Sequence, residues 1–203
     1  MNEEKHIEPQ SGTKLVILAS SSPYRLRLLK RIGLNVVAIS PPYKEVEIPG
    51  LSPLELIKHR SIEKSRSVAK LHPNAWVIGS DQGLTFENVL LGKGHSWEGS
   101  FTQLSVLSGK EAVLATGLCV LGPNTERYEL NVQELKFREL SPTLISQYVD
   151  FDQPLDCAGS FKIESAGPVL FEYIRGDDPS AIEGLPLMRL TSILLELGIS
   201  FLR

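Results

Sequence analysis

The segment Leu15–Gly33, LVILASSSPYRLRLLKRIG, limits the folds open to this chain more than any other stretch. Leu15–Ala19 is an apolar run with the length and composition of a buried strand. Three serines follow, and Pro23 then suits a first helical position, where its missing N–H has no intrahelical partner to lose. Ser22 becomes the natural N-cap. Leu26, Leu29 and Ile32 recur at helical spacing, and Gly33 supplies a stop. A strand that hands directly to a helix through a polar loop implies a fold with a sheet and helices packed on it. Arg25 breaks the local rules, because a cation in the first turn opposes the helix dipole at a cost of about 0.3–1 kcal/mol. That penalty disappears if an anion occupies the helix N-terminus, where free N–H groups and the Ser20 and Ser21 hydroxyls also gather. Two readings stay open from this segment: a phosphate site, or an ordinary capped helix with solvent-exposed arginines.

The whole 203-residue chain narrows the function class. Its size allows one substantial core. A hydrophobic content of 42%, with 22% charged residues, is that of an ordinary soluble globular protein. The net charge of −3 argues against a general nucleic-acid or membrane-surface binder, while leaving room for a local basic pocket. Cys119 and Cys157 form no CxxC pair or disulfide framework, which fits a reducing cytoplasm. No apolar run reaches membrane-spanning length. Residues 1–13 are polar and read as a disordered tail, leaving 14–203 as a single domain.

Patterning along the chain mixes helices with strands. Val36–Ile39, Trp76–Ser80, Val113–Leu121, Leu130–Arg138 and Val169–Ile174 read as strands, and Leu84–Val89 as the start of a hairpin. Leu54–Leu71, Gly99–Leu107, the segment after Ser141-Pro142, and Leu187–Leu197 read as helices. The middle strands pair antiparallel, so the expected class is mixed α/β (α+β) rather than an all-parallel sheet.

Several polar residues interrupt these apolar runs. Asp81 follows VIGS directly, which places a carboxylate at the expected carboxyl end of a buried strand, a common position for ligand chemistry. It could deprotonate a water or bind a divalent cation through oxygen; the plainer alternative is an Asp-Gln-Gly turn. Gln82 could read a base edge or sit in that turn. Lys93 between Gly92 and Gly94 allows close approach to a phosphate, but no Ser or Thr follows, so this is no P-loop. Glu45, Glu47, Lys58, Arg60, Glu63 and Lys64 crowd one region and read chiefly as a solvated helix face. Glu164 lies in a polar insert and could be a surface carboxylate, or it could accept guanine's adjacent N1–H and N2–H donors. Tyr24 beside the serine loop could stack on a base or simply pack. His6, His59, His72 and His95 have no metal-ligand spacing, and there is no GxSxG elbow.

In order along the chain, LASSSPYRLRLL, IEKSRSVA, VIGSDQ, LGK, LSGKEAVLATG, CAGSFKIES and GDDPSAIEGLPLMRL resemble the Maf family of nucleotide pyrophosphatases, from about Lys14 to Gly198. The resemblance implies a Maf/ITPase-like fold, a twisted mixed sheet flanked by helices with two lobes around a central cleft. It implies hydrolysis of a nucleoside triphosphate to the monophosphate and pyrophosphate with a divalent cation (Mg, Mn or Co), and Asp81 as proton acceptor. Ser20, Ser21, Arg25, Lys64 and Lys93 are the expected phosphate ligands, and Glu45 with Asp81 the expected metal ligands. Tyr24, Gln82 and Glu164 fall on the positions that set specificity. An aromatic in place of the family's usual arginine at 24, with Glu164 in place of glutamine, resembles the subgroup acting on 7-methyl-GTP. The physics agrees, because a cationic base favours an aromatic face and a carboxylate.

The chain also departs from the family pattern. The family's VDE motif falls on Tyr43-Lys44-Glu45, with Lys44 at the aspartate position, and Ala112 replaces a frequent histidine. The other readings are a pyrophosphatase for dTTP- or UTP-type or damaged nucleotides, and a weakly catalytic nucleotide-binding regulator of cell division. The expected partner is the nucleotide, with no nucleic acid or membrane, and a homodimer is one open assembly state.

Overall fold

The computed structural model describes residues 14–202, so the tail expected over 1–13 lies outside the described residues. Twelve regular elements follow in chain order. They are β1 (Val16–Ala19), α1 (Pro23–Arg31), β2 (Val37–Ile39), α2 (Pro53–Ala69), β3 (Trp76–Phe86), β4 (Val89–Leu91), α3 (Trp97–Leu107), β5 (Glu111–Gly122), β6 (Thr125–Phe137), α4 (Pro142–Asp152), β7 (Phe171–Arg175) and α5 (Leu187–Glu196). The strands form one seven-stranded sheet in the order β2-β1-β3-β5-β6-β7, with β4 added to β3. β2, β1 and β3 run parallel, and the remaining pairings are antiparallel. The mixed sheet and its antiparallel middle match the sequence-based expectation. Among the described residues, no helix is long and apolar enough to cross a membrane.

Local chemistry sets the element ends. Ser22, Ser52, Ser96 and Ser141 cap α1, α2, α3 and α4, each accepting from the backbone N–H three residues on. Glu55 completes a capping box with Ser52. Glu87 and Asn88 both adopt positive φ, the geometry of a two-residue hairpin turn that joins β3 to β4 without splaying them. Pro168 opens a 3-10 turn over Gly167–Leu170, so the strand expected from Val169 begins instead at Phe171.

Strand alternation sorts the core into layers. Ile17, Val77 and Cys119 point to one face, where Val68 of α2 covers them. Leu18, Ile78, Leu118 and Val120 point to the other, against Leu28 and Leu29 of α1 and Leu190 and Leu194 of α5. Farther along that second face a separate cluster joins Leu104, Leu114, Phe137, Tyr148 and Phe171 beneath α3 and α4. These two clusters flank a polar middle, giving the lobed arrangement expected around a cleft.

The α2 contact explains an oddity of that helix. Its buried face carries Ser61, Lys64 and Ser65 alongside Leu56, Ile57 and Val68. Small residues are required because the sheet comes very close. A Cβ on Gly79 would lie 2.1 Å from Ser65 Oγ, 2.7 Å from the Ser61 carbonyl oxygen and 2.9 Å from the Ser65 nitrogen. One on Gly117 of the neighbouring strand would meet Ser61 Oγ at 2.9 Å. Gly79→Ala is therefore expected to lift α2 off β3 and lower stability by about 1–3 kcal/mol, the usual cost of overpacking. Urea unfolding measures this, and an unchanged midpoint would mean that the helix–sheet contact yields freely.

Candidate functional site

β3 changes partners along its length, and the site lies where it does so. Residues 76–78 pair with β1 and 84–86 with β4, while β5 runs beside the strand throughout. Along residues 79–83 the other edge of β3 has no strand beside it. The notch opens into a cleft of about 810 Å³, within the range of small-molecule sites. Its walls include Ser20, Ser21, Tyr24 and Arg25 after β1, Glu45 before α2, Lys64 on α2, Lys93 after β4, and Glu164. Every site residue proposed from the sequence lines this one cleft.

Asp81 lies within β3 and not at its end, correcting both the strand-end placement and the Asp-Gln-Gly turn. β3 continues because Asp81 and Gln82 pair across with Gly117 and Thr116 of β5. Alternation then sends the two side chains apart. Asp81 faces α2, where Lys64 Nζ donates to its Oδ1 at 2.5 Å. Gln82 faces the opposite layer, where its Nε2 donates to Ala181 O at 2.7 Å and Thr116 Oγ1 at 3.0 Å. The Gln82 amide N–H groups are thus engaged by the protein, which leaves its Oε1 as the atom open to a ligand.

Lys64 is the hub of the acidic end. Its ammonium also contacts Glu45 Oε1 at 2.7 Å, and both Lys64 and Asp81 are buried. One cation therefore holds two carboxylates no farther apart than the sum of its two contact distances. Arg60 Nη1 lies 3.6 Å from Glu45 Oε2, with its side chain only 15% exposed, so Arg60 is not part of a solvated helix face. Burial, the largest influence, pushes the Glu45 carboxyl up. The hydrogen bond and charge of Lys64, with Arg60 and Lys93 behind it, nevertheless hold it below the ordinary carboxylate value. Lys44, at the family's aspartate position, is exposed and does not line the cleft, whereas Glu45 does. Among the described residues, no hydrogen bond engages Asp81 Oδ2.

The serine loop is tied together around Arg25. Ser20 Oγ is buried and accepts from Ser22 N at 3.1 Å and Arg25 Nη1 at 3.4 Å. Arg25 Nε donates to Gly184 O at 2.8 Å. Burial pulls the Arg25 guanidinium pKa down, and Asp81 and Glu45 pull it back up. These carboxylates provide the compensating negative charge that its helix-dipole position demands. Ser21 is exposed at the cleft, as is Lys93, whose backbone forms a bridge with Ala158.

Tyr24 marks the other end. Burial raises its phenol pKa, and Cys157, Asp156 and Glu164 add to the shift, while Arg27, 5.4 Å from the ring centroid, opposes it. Asp156 and Glu164 line the cleft along with the ring. Glu164 is exposed, in keeping with the surface reading of its insert, and lines the cleft at its rim.

Sequence reasoning missed three parts of the site. Asp156, just before CAGSFK, lines the cleft near Tyr24's wall. Tyr43 lines the acidic end, a position outside the chemistry its motif suggested. The third is the 3-10 turn Pro179–Glu183, whose end presents Gly184 O to both Arg25 and Ser80 Oγ. Buried Asp178 fixes that turn. It accepts from Ser180 N and also from Met188 N and Arg189 N, capping α5, whose own N-cap residue is Pro186. The Asp-Pro pair in GDDPSAIEG was the available signal for such a cap.

Residues 15–197 match the family described as Maf-like protein. A curated 7-methyl-GTP pyrophosphatase of Alcanivorax borkumensis is 41% identical over 189 residues, spanning 92% of this chain and 96% of the relative. One from Pseudomonas aeruginosa is 41% identical over 186 residues, spanning 91% of this chain and 97% of the relative. One from Hydrogenovibrio crunogenus is 40% identical over 186 residues, spanning 91% and 93%. Among solved structures, the Staphylococcus aureus Ham1 protein superposes with a TM-score of 0.52 at 19% identity, over 90% of this chain and 98% of that one, a likeness of fold alone.

The Lys64 hub has a titration signature. In Lys64→Met, burial is left to act on Glu45 with less opposition, so its carboxyl midpoint should rise from its depressed value. Carbon-13 NMR of the side-chain carboxyl reads this directly. A midpoint that stays depressed would show that Arg60 and Lys93 suffice without Lys64. Because the folded-state pKa lies below the unfolded one, Glu45 stabilises the fold above the unfolded value. It loses that contribution as pH falls through the depressed one.

Proposed function

The chain belongs to the Maf family, and we propose that it hydrolyses 7-methyl-GTP to 7-methyl-GMP and pyrophosphate. The observation that carries this reading is the make-up of the base end, an aromatic ring with two carboxylates lining the same cleft. Methylation at N7 makes guanine cationic, and a cation prefers a π face and nearby negative charge. A neutral pyrimidine gains nothing comparable. The curated relatives at about 40% identity, named for this activity, support the same substrate.

Hydrolysis follows from the other end of the cleft. Asp81 Oδ2 takes a proton from water as the water oxygen attacks the α-phosphorus. The bond from that phosphorus to its bridging oxygen breaks, and pyrophosphate leaves. Lys64 holds Asp81 by Oδ1 and so keeps Oδ2 directed for this role. Arg25, Lys93 and the serine loop offset the charge of the polyphosphate.

Glu45 and Asp81 are the residues that would hold a divalent cation. Two carboxylates already gathered on one ammonium suit a hard, oxygen-seeking ion that fills its shell with phosphate oxygens and water. Among the described residues no cluster of three or more His, Cys, Asp or Glu offers the fuller protein cage that zinc prefers. When bound, such an ion shields phosphate charge.

The test is pyrophosphate release from canonical and methylated nucleotides with Mg²⁺, Mn²⁺ and Co²⁺. Wild type should favour 7-methyl-GTP over GTP, UTP and dTTP in kcat/KM. Asp81→Asn should lower turnover by about 10²–10⁴-fold, the usual worth of a general base. Glu164→Gln and Tyr24→Arg should each lower the preference for 7-methyl-GTP over UTP. A wild-type preference for UTP or dTTP would overturn the substrate assignment, and nucleotide binding without turnover would point to a regulator.

A further inference from the structure

Two polar atoms at the acidic end of the cleft have no partner among the described residues. Tyr43 Oη and Arg60 Nε are each buried, and neither makes a hydrogen bond there. Both side chains line the cleft. Tyr43 lies on the segment between β2 and α2, its ring edge-on to His59 with centroids 6.4 Å apart. Arg60 is the next residue on α2.

Buried donors without acceptors are costly and uncommon, and where they cluster in a cleft they suit a ligand rich in acceptors. Two other cations of the cleft are more fully committed. Lys64 is held by two carboxylates, and Arg25 is tied to Gly184 O and Ser20 Oγ. Among the described residues Arg60 has only Glu45 as an ion-pair partner, at 3.6 Å, and its Nε remains unspent. A guanidinium beside a neutral hydroxyl matches the oxygens of a phosphate.

Position along the cleft selects which phosphate. Tyr43 and Arg60 come from α2 and the segment before it, beside the linked Glu45, Lys64 and Asp81, whereas Tyr24 lies in the first turn of α1 on a cleft wall that also carries Asp156 and Glu164. A nucleotide with its base on Tyr24 extends its distal phosphates toward Tyr43. We infer that Arg60 and Tyr43 form the seat for the β- and γ-phosphates, and hence for the departing pyrophosphate. This rests on the triphosphate reading given above and adds two phosphate-binding residues to it.

The probe is inorganic pyrophosphate, measured both by calorimetric binding and as a product inhibitor, with 7-methyl-GMP as the comparison ligand. Tyr43→Phe removes one oxygen and no packing. It should weaken pyrophosphate binding about tenfold, as loss of a hydrogen bond to a charged group does. Its melting temperature should hold or rise, because an unpaired buried hydroxyl is gone. Arg60→Gln should weaken pyrophosphate binding by about tenfold or more while leaving 7-methyl-GMP inhibition near wild type. Lys44→Ala, exposed and outside the cleft, is the control expected to leave both unchanged. Pyrophosphate binding within about twofold of wild type in Tyr43→Phe overturns the inference, as does an equal loss for 7-methyl-GMP. If Arg60→Gln fails to fold, Tyr43→Phe decides alone. Absence of pyrophosphate release from every nucleotide by wild type would instead defeat the proposed activity, and the direct pyrophosphate titration would still read the seat.

Discussion

A single buried ammonium organises this molecule's cleft. Lys64 lies in a helix whose neighbours on the same face are serines, and it touches carboxylates from a strand and from a loop. Burying a lysine is expensive unless it is paired, and here two anions share it. The arrangement is possible only because Gly79 and Gly117 let α2 lie almost on the sheet. With an ordinary apolar helix–sheet spacing the lysine would be held farther from Asp81. The glycines of β3 and β5 are thus part of the electrostatics, although neither carries a polar side chain.

Much of the fold was legible because local chemistry and tertiary packing agree. Ser22-Pro23 and Ser141-Pro142 named their helix starts, and Gly33, Gly109 and Gly198 marked the stops with positive φ. Asp81 was harder. GSDQG reads as the end of a strand because its polarity breaks the apolar run. It remains a strand because β5 pairs with it residue by residue, a long-range fact that periodicity within one segment cannot supply. The 3-10 turn at Pro179–Glu183 escaped for a related reason. Its importance lies in carbonyl oxygens offered to Arg25, Ser80 and Gln82, and every residue type has a carbonyl.

The site was legible as a set of residues and less so as a set of contacts. Ser20, Ser21, Tyr24, Arg25, Glu45, Lys64, Asp81, Gln82, Lys93 and Glu164 all line one cleft. What the sequence could not convey is who binds whom. Lys64, read as a phosphate ligand, holds carboxylates, and Gln82 spends its donors on backbone carbonyls. Arg60 looked like surface charge because Lys58, Glu63 and Arg66 surround it in the chain, yet its side chain turns into the cleft.

The notch in β3 has a further consequence for how such a protein can change. The half to which the proposed hydrolysis falls is built from α2 and the middle of β3, elements locked by close backbone contact and tolerant of little substitution. The half proposed to read the base draws Tyr24 from a helix start and Asp156 and Glu164 from the irregular chain between α4 and β7. Those pieces share few constraints with the first half. On the proposed assignment, exchanges among them redirect the molecule from one base to another while the cutting apparatus is inherited intact, and a lineage diversifies its diet of nucleotides through a handful of rim positions without passing through an inactive ancestor.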